Sequence, residues 1–117
     1  MLNGEYKVIG VMSGTSLDGI DLVCVSFIYH GKWNFKIHEY ETIKYEPYWI
    51  SKLKDLVKYS LNELKTIDEE YTSYLSELIN AFIKKNNIRD IDAVCSHGHT
   101  ALHQPDKGIT YQIGNLP

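Results

Sequence analysis

With 117 residues and a formal net charge of −3, the chain is long enough for one domain with a hydrophobic core. Its 12 Lys and Arg are spread thinly rather than gathered in a stripe, so we expect no nucleic acid partner. Residues 1–7 lack the features of a signal peptide, and no apolar run reaches the length of a membrane span. We therefore expect a cytoplasmic protein with no membrane partner.

The first third of the chain has the pattern of three β-strands. An apolar run at residues 6–12 ends at a polar, glycine-containing stretch, and Ile20–Tyr29 is apolar again. A turn follows at residues 30–32, and Trp33–Ile43 then alternates between apolar and polar residues. Because the connections are short, we predict that the three strands form an antiparallel meander.

After the third strand, apolar residues recur at three- and four-residue spacing, which predicts two helices. Pro47 suits the first turn of the first helix. The second helix is predicted to begin at Thr66, because Thr66 and Glu69 match the T-x-x-E capping box, and to end at Asn86 and Asn87. The predicted buried stripes are Ile50, Leu53, Leu56, Val57, Leu61 and Leu64 in the first helix, and Ile67, Tyr71, Leu75, Leu78, Ile79, Phe82 and Ile83 in the second.

The last part of the chain predicts two more strands, at residues 91–95 and at Ile109–Ile113, with a turn at residues 105–108 before the second. The predicted order is therefore βββααββ. Three meandering strands followed by helices and further strands suggest an α/β lobe of the ribonuclease-H-like kind. The pattern alone leaves several α+β folds equally open.

The chain has two cysteines, Cys24 and Cys95, and each lies in an apolar stretch that predicts a strand. A small thiol in such a place is most often buried. Without a CxxC pair, nothing in the sequence favours a disulfide or a redox site. We therefore predict two buried thiols.

The stretch between the first two strands is rich in residues that can bind a phosphate. It reads Ser13-Gly14-Thr15-Ser16-Leu17-Asp18-Gly19-Ile20-Asp21. The glycines allow successive amides to turn toward one anion, and the three hydroxyls add further donors. The two carboxylates suit a Mg²⁺ ion that bridges to phosphate oxygens. A plain hairpin, in which these side chains satisfy their own turn, remains an open alternative.

A second polar cluster, Ser96-His97-Gly98-His99-Thr100, follows the predicted strand at residues 91–95. With His103 it forms an H-x-H-x₃-H spacing that could bind zinc. Against zinc, no fourth ligand or supporting carboxylate is adjacent. A hydrogen-bonded polar strand end is the other open interpretation.

Both clusters resemble motifs of one enzyme family. Residues 10–21, Gly-Val-Met-Ser-Gly-Thr-Ser-Leu-Asp-Gly-Ile-Asp, resemble the N-terminal signature of the anhydro-N-acetylmuramic acid kinases, which belong to the actin/hexokinase/Hsp70 superfamily. The second cluster with its following His-X-Pro step resembles the family's second signature, and residues 110–114 resemble the strand that follows that signature. The one departure is His99, where the family usually has Gln.

The resemblance implies roles for both clusters. In the first, Ser13, Gly14, Thr15, Ser16, Asp18, Gly19 and Asp21 would bind the phosphates of ATP, with Asp18 and Asp21 as candidate Mg²⁺ ligands. In the second, Ser96, His97, Gly98, His99 and Thr100 would line the cleft for an anhydro-amino-sugar.

The resemblance also implies an activity, in which 1,6-anhydro-N-acetylmuramic acid becomes N-acetylmuramic acid 6-phosphate during recycling of the cell wall. Water opens the anhydro ring with help from a carboxylate base, and the freed O6 takes the γ-phosphate of ATP. That base belongs to a later motif, so we expect residues 1–117 to be a partial N-terminal lobe of a two-lobed kinase, inactive alone and without a catalytic residue of its own. The alternatives are a non-catalytic lobe that binds phosphate or self-associates, and a histidine-based metal module. Because an incomplete lobe would expose an apolar sheet face, we also expect a homo-oligomer.

Overall fold

The computed structural model describes residues 4–13, 19–96, 99–104 and 109–113. Six strands and two α-helices are present in these residues, with a short 3₁₀ helix between the two α-helices. In chain order they are β1 Gly4–Ser13, β2 Ile20–Tyr29, β3 Trp33–Ile43, α1 Pro47–Lys54, the 3₁₀ helix Leu56–Lys58, α2 Leu61–Lys85, β4 Ala93–Ser96, β5 His99–Gln104 and β6 Ile109–Ile113.

The main sheet has four strands in the order β3-β2-β1-β4. The first three pair antiparallel along the chain, as the sequence predicted. The fourth returns after the helices and pairs parallel to β1, so the sheet is mixed. The fold is therefore α/β, and it is compatible with a lobe of an actin-like ATPase.

The predicted order βββααββ is short by one strand. Residues His99–Gln104, which we predicted as a polar cluster and a connection, form β5 and pair antiparallel with β6 in a separate two-stranded sheet. Ladder hydrogen bonds join backbone groups, so a polar segment can form a strand when a partner lies alongside. The prediction of β6 at Ile109–Ile113 is confirmed.

The start of the second helix was also predicted wrongly. Helix α2 begins at Leu61, five residues before the predicted start, and Ser60 is its N-cap. Ser60 and Glu63 form a reciprocal capping box, with Glu63 N donating to Ser60 Oγ at 3.2 Å. Thr66 lies inside the helix, and its hydroxyl reaches back to Asn62 O at 3.4 Å.

The core lies between the helices and one face of the sheet, which we call the inner face. Inward positions alternate along β1 and β2 with the period of two that strands impose. Most of the predicted stripe of α2 is buried or partly buried. The prediction was wrong for Ile50, Val57 and Leu61 of the first stripe, which are exposed, and the 3₁₀ helix interrupts that stripe before Leu61. The buried apolar residues are Ile9, Val11, Ile20, Leu22, Cys24, Tyr45, Trp49, Leu53, Leu56, Leu64, Ile67, Tyr71, Leu75, Phe82 and Ile113.

The opposite side of the sheet, which we call the outer face, has no helix against it among the described residues. Large apolar side chains stand exposed there, on alternate positions of the first three strands. They are Tyr6, Phe27, Trp33, Phe35, Ile37 and Tyr40. The expected apolar sheet face is therefore present.

The two thiols differ in their surroundings. Cys24 is buried on the inner face, as predicted, and burial raises the pKa of its thiol. The prediction for Cys95 was wrong, because Cys95 lies in β4 at the edge of the sheet and is exposed. Neither thiol is in a disulfide. No helix in the described part of the chain combines the length and apolarity that a membrane crossing requires.

Candidate functional site

The parallel pairing of β1 and β4 brings the two polar clusters to one end of the sheet. Val11 is the register partner of Ser96, so both strands end within two residues of this pair. The first cluster continues from the end of β1 and the second from the end of β4. Their starting points are therefore neighbours, although more than eighty residues separate them in the chain.

A groove of about 580 Å³ lies along this pair of strand ends. Most of its described lining is apolar, and it comes from β1 and β4, with Ser96 as the one hydroxyl-bearing residue among the described lining residues. The lining residues are Gly10, Val11, Met12, Val94, Cys95 and Ser96. A groove at the carboxyl ends of sheet strands is a frequent position for ligands in α/β proteins.

Of the predicted phosphate-binding residues, Ser13, Gly19 and Asp21 lie in the described part of the chain. Gly14, Thr15, Ser16 and Asp18 lie outside the described residues. Ser13 ends β1 and pairs with Ile20, so it forms the last ladder pair before the loop at residues 14–18. The three described residues therefore surround the two ends of that loop.

The Ser13 hydroxyl points into the core, where it meets two tyrosines. Its Oγ lies 2.5 Å from Tyr45 OH and accepts from Tyr71 OH at 2.9 Å. The two tyrosine hydroxyls are themselves 2.6 Å apart. Burial is the main cause that raises the pKa of Tyr71, so its hydroxyl stays protonated and can donate at neutral pH. Three buried hydroxyls thus form a closed ring beneath the start of the loop.

Gly19, at the other end of the loop, lies too close to the backbone of Ile43 to carry a side chain. A Cβ at this position would lie 2.6 Å from the carbonyl oxygen of Ile43, the last residue of β3. No side chain can be accommodated there without moving the backbone. Gly19 therefore has a packing role, whatever its part in binding a ligand.

Asp21 is held by two hydroxyls from β3. Its Oδ1 accepts from Thr42 Oγ1 at 2.5 Å and from Tyr40 OH at 3.0 Å. The carboxylate lies on the outer face, on the same row as Met12 and Thr42. These two bonds orient the carboxylate, and they use the same oxygen. Carboxylate oxygens are the ligands that Mg²⁺ prefers, so the donor type fits the predicted metal.

The second cluster is only partly described. Ser96 ends β4 and is exposed, whereas His97 and Gly98 lie outside the described residues. His99 and Thr100 belong to β5, with their side chains outside the description, as is that of His103. The zinc hypothesis on His97, His99 and His103 therefore stays a prediction. Among the described side chains, no three His, Cys, Asp or Glu residues are grouped as metal ligands would be.

The sequence pattern did not reveal the partners that hold the predicted residues. Helical spacing placed Tyr71 in the core but indicated no role for its hydroxyl, and no site role was predicted for Tyr40, Thr42 or Tyr45. One signal was available, since a tyrosine on a buried stripe needs a partner for its hydroxyl. The identity of that partner was not visible, because Ser13 is 58 positions from Tyr71 in the chain.

Comparison with known proteins identifies one family. A family model described as anhydro-N-acetylmuramic acid kinase matches residues 6–117. The chain is 33% identical to a protein of that name from Bradyrhizobium diazoefficiens, over 93% of the chain and 32% of the relative. It is 36% identical to the Acinetobacter baylyi protein over 92% of the chain and 28% of the relative. It is 34% identical to the Shewanella denitrificans protein, over 98% of the chain and 32% of the relative. The chain therefore spans about a third of the length of the curated relatives that it matches.

Proposed function

The chain belongs to the anhydro-N-acetylmuramic acid kinase family, and from that membership we propose that it forms the lobe of an ATP-dependent sugar kinase that binds the nucleotide phosphates beside the sugar. The lobe is of the ribonuclease-H-like kind in this proposal. The cytoplasm stays our expectation for its location.

The proposed reaction converts 1,6-anhydro-N-acetylmuramic acid to N-acetylmuramic acid 6-phosphate. Water adds at the anomeric carbon, the bond from that carbon to O6 breaks, and O6 takes the γ-phosphoryl group of ATP, which leaves ADP. We assign no catalytic base among residues 1–117. The part assigned to this chain is binding and orientation, which contribute a large share of the acceleration in phosphoryl transfer.

The observation that supports the proposal most strongly is the parallel pairing of Val11 with Ser96. A kinase must hold the γ-phosphate and the accepting oxygen within reaction distance of each other. The segment assigned to phosphate leaves β1, and the segment assigned to sugar leaves β4, at adjacent points of one sheet end. Nothing in the local sequence pattern requires that adjacency, so its presence is independent support.

We propose that residues 13–19 bind the phosphates chiefly through backbone amides and the hydroxyls of Thr15 and Ser16. The Ser13 hydroxyl is occupied by Tyr45 and Tyr71, so the share of Ser13 would come from its backbone. Asp18 and Asp21 supply carboxylates for Mg²⁺, with Asp21 oriented from β3. When bound, the metal neutralises charge on the phosphate oxygens.

For the sugar, we propose contacts from Ser96, His97, Gly98, His99 and Thr100. Hydroxyl and imidazole groups suit this task because their hydrogen bonds are directional and can distinguish sugar hydroxyls. Ser96 is exposed at the end of the groove described above, which is consistent with that role. His99 replaces the glutamine usual in the family, and it offers one donor and one acceptor when neutral.

Calorimetric titration with ATP, in the presence and absence of Mg²⁺, tests the nucleotide assignment. We expect binding that requires Mg²⁺ and that weakens about tenfold in Asp21→Asn, since asparagine keeps an oxygen for Tyr40 and Thr42 but loses the charge. Asp55→Asn, which removes a charge from the surface beyond α1, is the matched control and should bind as the unchanged protein does. Equal affinity in all three proteins would contradict the Asp21 assignment, and no binding at all would contradict the nucleotide assignment.

A second candidate property is self-association, which the outer face supports. Phe35 and Trp33 are 67% and 60% exposed, and β3 forms a sheet edge along its whole length. Apolar patches and unpaired strand edges of this kind mark contact surfaces on soluble proteins. We propose that a second copy of this chain covers the outer face.

A further inference from the structure

Strand β3 forms one edge of the main sheet, and all 11 of its residues lie in the described part of the chain. Within that part it pairs with β2 along one side. The backbone N–H and C=O groups on the other side of an edge strand can pair with a further strand. From Trp33 to Tyr40 the side chains of both faces are exposed. A strand from another molecule can therefore reach most of β3.

A β-bulge interrupts the pairing of β3 with β2 in the middle of the strand. Cys24 of β2 pairs with Glu39, whereas the next residue of β2 pairs with Ile37. His38 is therefore an extra residue in β3. Its Nε2 lies 2.6 Å from the hydroxyl of Ser26, which is buried on the inner face. The side chains of His38 and Glu39 thus both lie on the inner face, although the two residues are neighbours in the chain.

The bulge makes the order of faces along β3 symmetrical about its middle. Counted outward from that point, the residues form pairs that share a face: His38 and Glu39 inner, Ile37 and Tyr40 outer, Lys36 and Glu41 inner, Phe35 and Thr42 outer, Asn34 and Ile43 inner. Opposed residues of an antiparallel pair must lie on the same face. Two copies of β3 meet this condition at every pair if a two-fold axis passes between His38 and Glu39. A register shift of one residue opposes inner to outer side chains along the strand, and a shift of two does so at the bulge.

This register also brings together side chains that attract one another. Lys36 would stand opposite Glu41 of the second copy, and the symmetry repeats the pair. Glu41 accepts from Lys85 of its own chain at 3.3 Å, whereas Lys36 forms no ion pair with a described residue. On the outer face Ile37 would stand opposite Tyr40, and these side chains are 55% and 64% exposed in the single chain. Opposite-charge pairs and aromatic pairs with β-branched residues both stabilise a sheet.

We propose that β3 pairs antiparallel with β3 of a second copy, about a two-fold axis between His38 and Glu39, so that the two main sheets continue into one another. A bulge and charged side chains hinder an edge from pairing with an unrelated strand. A second copy carries the same bulge and the complementary charges, so it fits this edge where an unrelated strand does not. The inference rests on the self-association proposed above and assigns that association to β3.

Sedimentation equilibrium of charge-reversed variants tests the pairing and its register. Lys36→Glu would oppose two glutamates at both symmetric positions, so we expect it to weaken dimerisation about tenfold. Glu41→Lys added to the same chain restores the opposite charges and should recover most of the lost affinity. The matched control adds Glu39→Lys to Lys36→Glu instead. It reverses one charge of the same strand without restoring the pair, so dimerisation should stay weak.

The outcomes separate this inference from the self-association on which it rests. Recovery with Glu39→Lys, alone or equally with Glu41→Lys, would overturn the register. A dimer with the same dissociation constant in Lys36→Glu as in the unchanged protein would overturn pairing through β3 and leave self-association by another part of the outer face standing. A monodisperse monomer of the unchanged protein at high concentration would contradict both.

Discussion

Tyr71 OH lies 2.9 Å from Ser13 Oγ, which places the middle of a long helix in direct contact with the residue that begins the candidate phosphate loop. The contact is buried, and Tyr45 completes a ring of three hydroxyls around it. Each hydroxyl therefore lies within hydrogen-bond distance of the other two.

That contact predicts strong coupling between Ser13 and Tyr71. We expect Ser13→Ala and Tyr71→Phe each to lower the free energy of unfolding by about 1–2 kcal/mol, because each removes buried hydrogen bonds. The double variant should lose less than the sum by about 1 kcal/mol, since both changes remove the same hydrogen bond between Tyr71 OH and Ser13 Oγ. Urea denaturation of the four proteins measures the cycle. If the losses of the two single variants simply add in the double variant, the predicted coupling between Ser13 and Tyr71 is contradicted.

The start of α2 provides a prediction with its own control. Ser60→Ala should lower the free energy of unfolding by about 1 kcal/mol, because it removes the side-chain acceptor of the Glu63 amide. Thr66→Ala should change it by less than about 0.5 kcal/mol, since Thr66 is exposed inside the helix and alanine is a better helix former. Thermal or urea denaturation, monitored by circular dichroism, measures the loss of stability in each of the two variants. A larger loss of stability in Thr66→Ala than in Ser60→Ala would contradict Ser60 as the N-cap and favour Thr66.

Self-association through the outer face can be measured by light scattering at increasing concentration. We expect a dimer or a larger assembly, because exposed aromatic residues and an open strand edge would be covered by a second copy. Phe35→Glu should shift the protein toward monomer. Val57→Glu is the control, because it introduces the same charge on the helical side, at a residue that is 70% exposed. It should leave the assembly state unchanged. A monodisperse monomer of the unchanged protein at high concentration would count against this surface.

The sequence predicted those features of the fold that depend on local pattern. The meander of β1, β2 and β3 followed from alternation and short connections, and most of the buried stripe of α2 followed from its helical spacing. The helix start was missed because Ser60 with Glu63 and Thr66 with Glu69 both match a capping box, and only the interruption by the 3₁₀ helix decides between them.

Features that depend on distant contacts could not be predicted in this way. Parallel pairing of β4 with β1 joins segments separated by the whole helical region, and it also explains why Cys95 is exposed at an edge. The polar strand β5 exists because β6 lies beside it. In the candidate site, the sequence identified Ser13 and Asp21 but not the tyrosines and the threonine that hold them, because those partners come from other elements.

The central claim is that the segments after β1 and β4 meet around one nucleotide. Replacing Mg²⁺ by paramagnetic Mn²⁺ and titrating the Mn²⁺·ATP complex into isotopically labelled protein tests it directly, since broadening of amide signals falls steeply with distance from the metal. We predict broadening at residues 13–19 and 96–100 together, with the amides of Tyr6 and Trp33 at the opposite end of the sheet unaffected. Broadening confined to one of the two segments, or centred on the far end of the sheet, would contradict the claim.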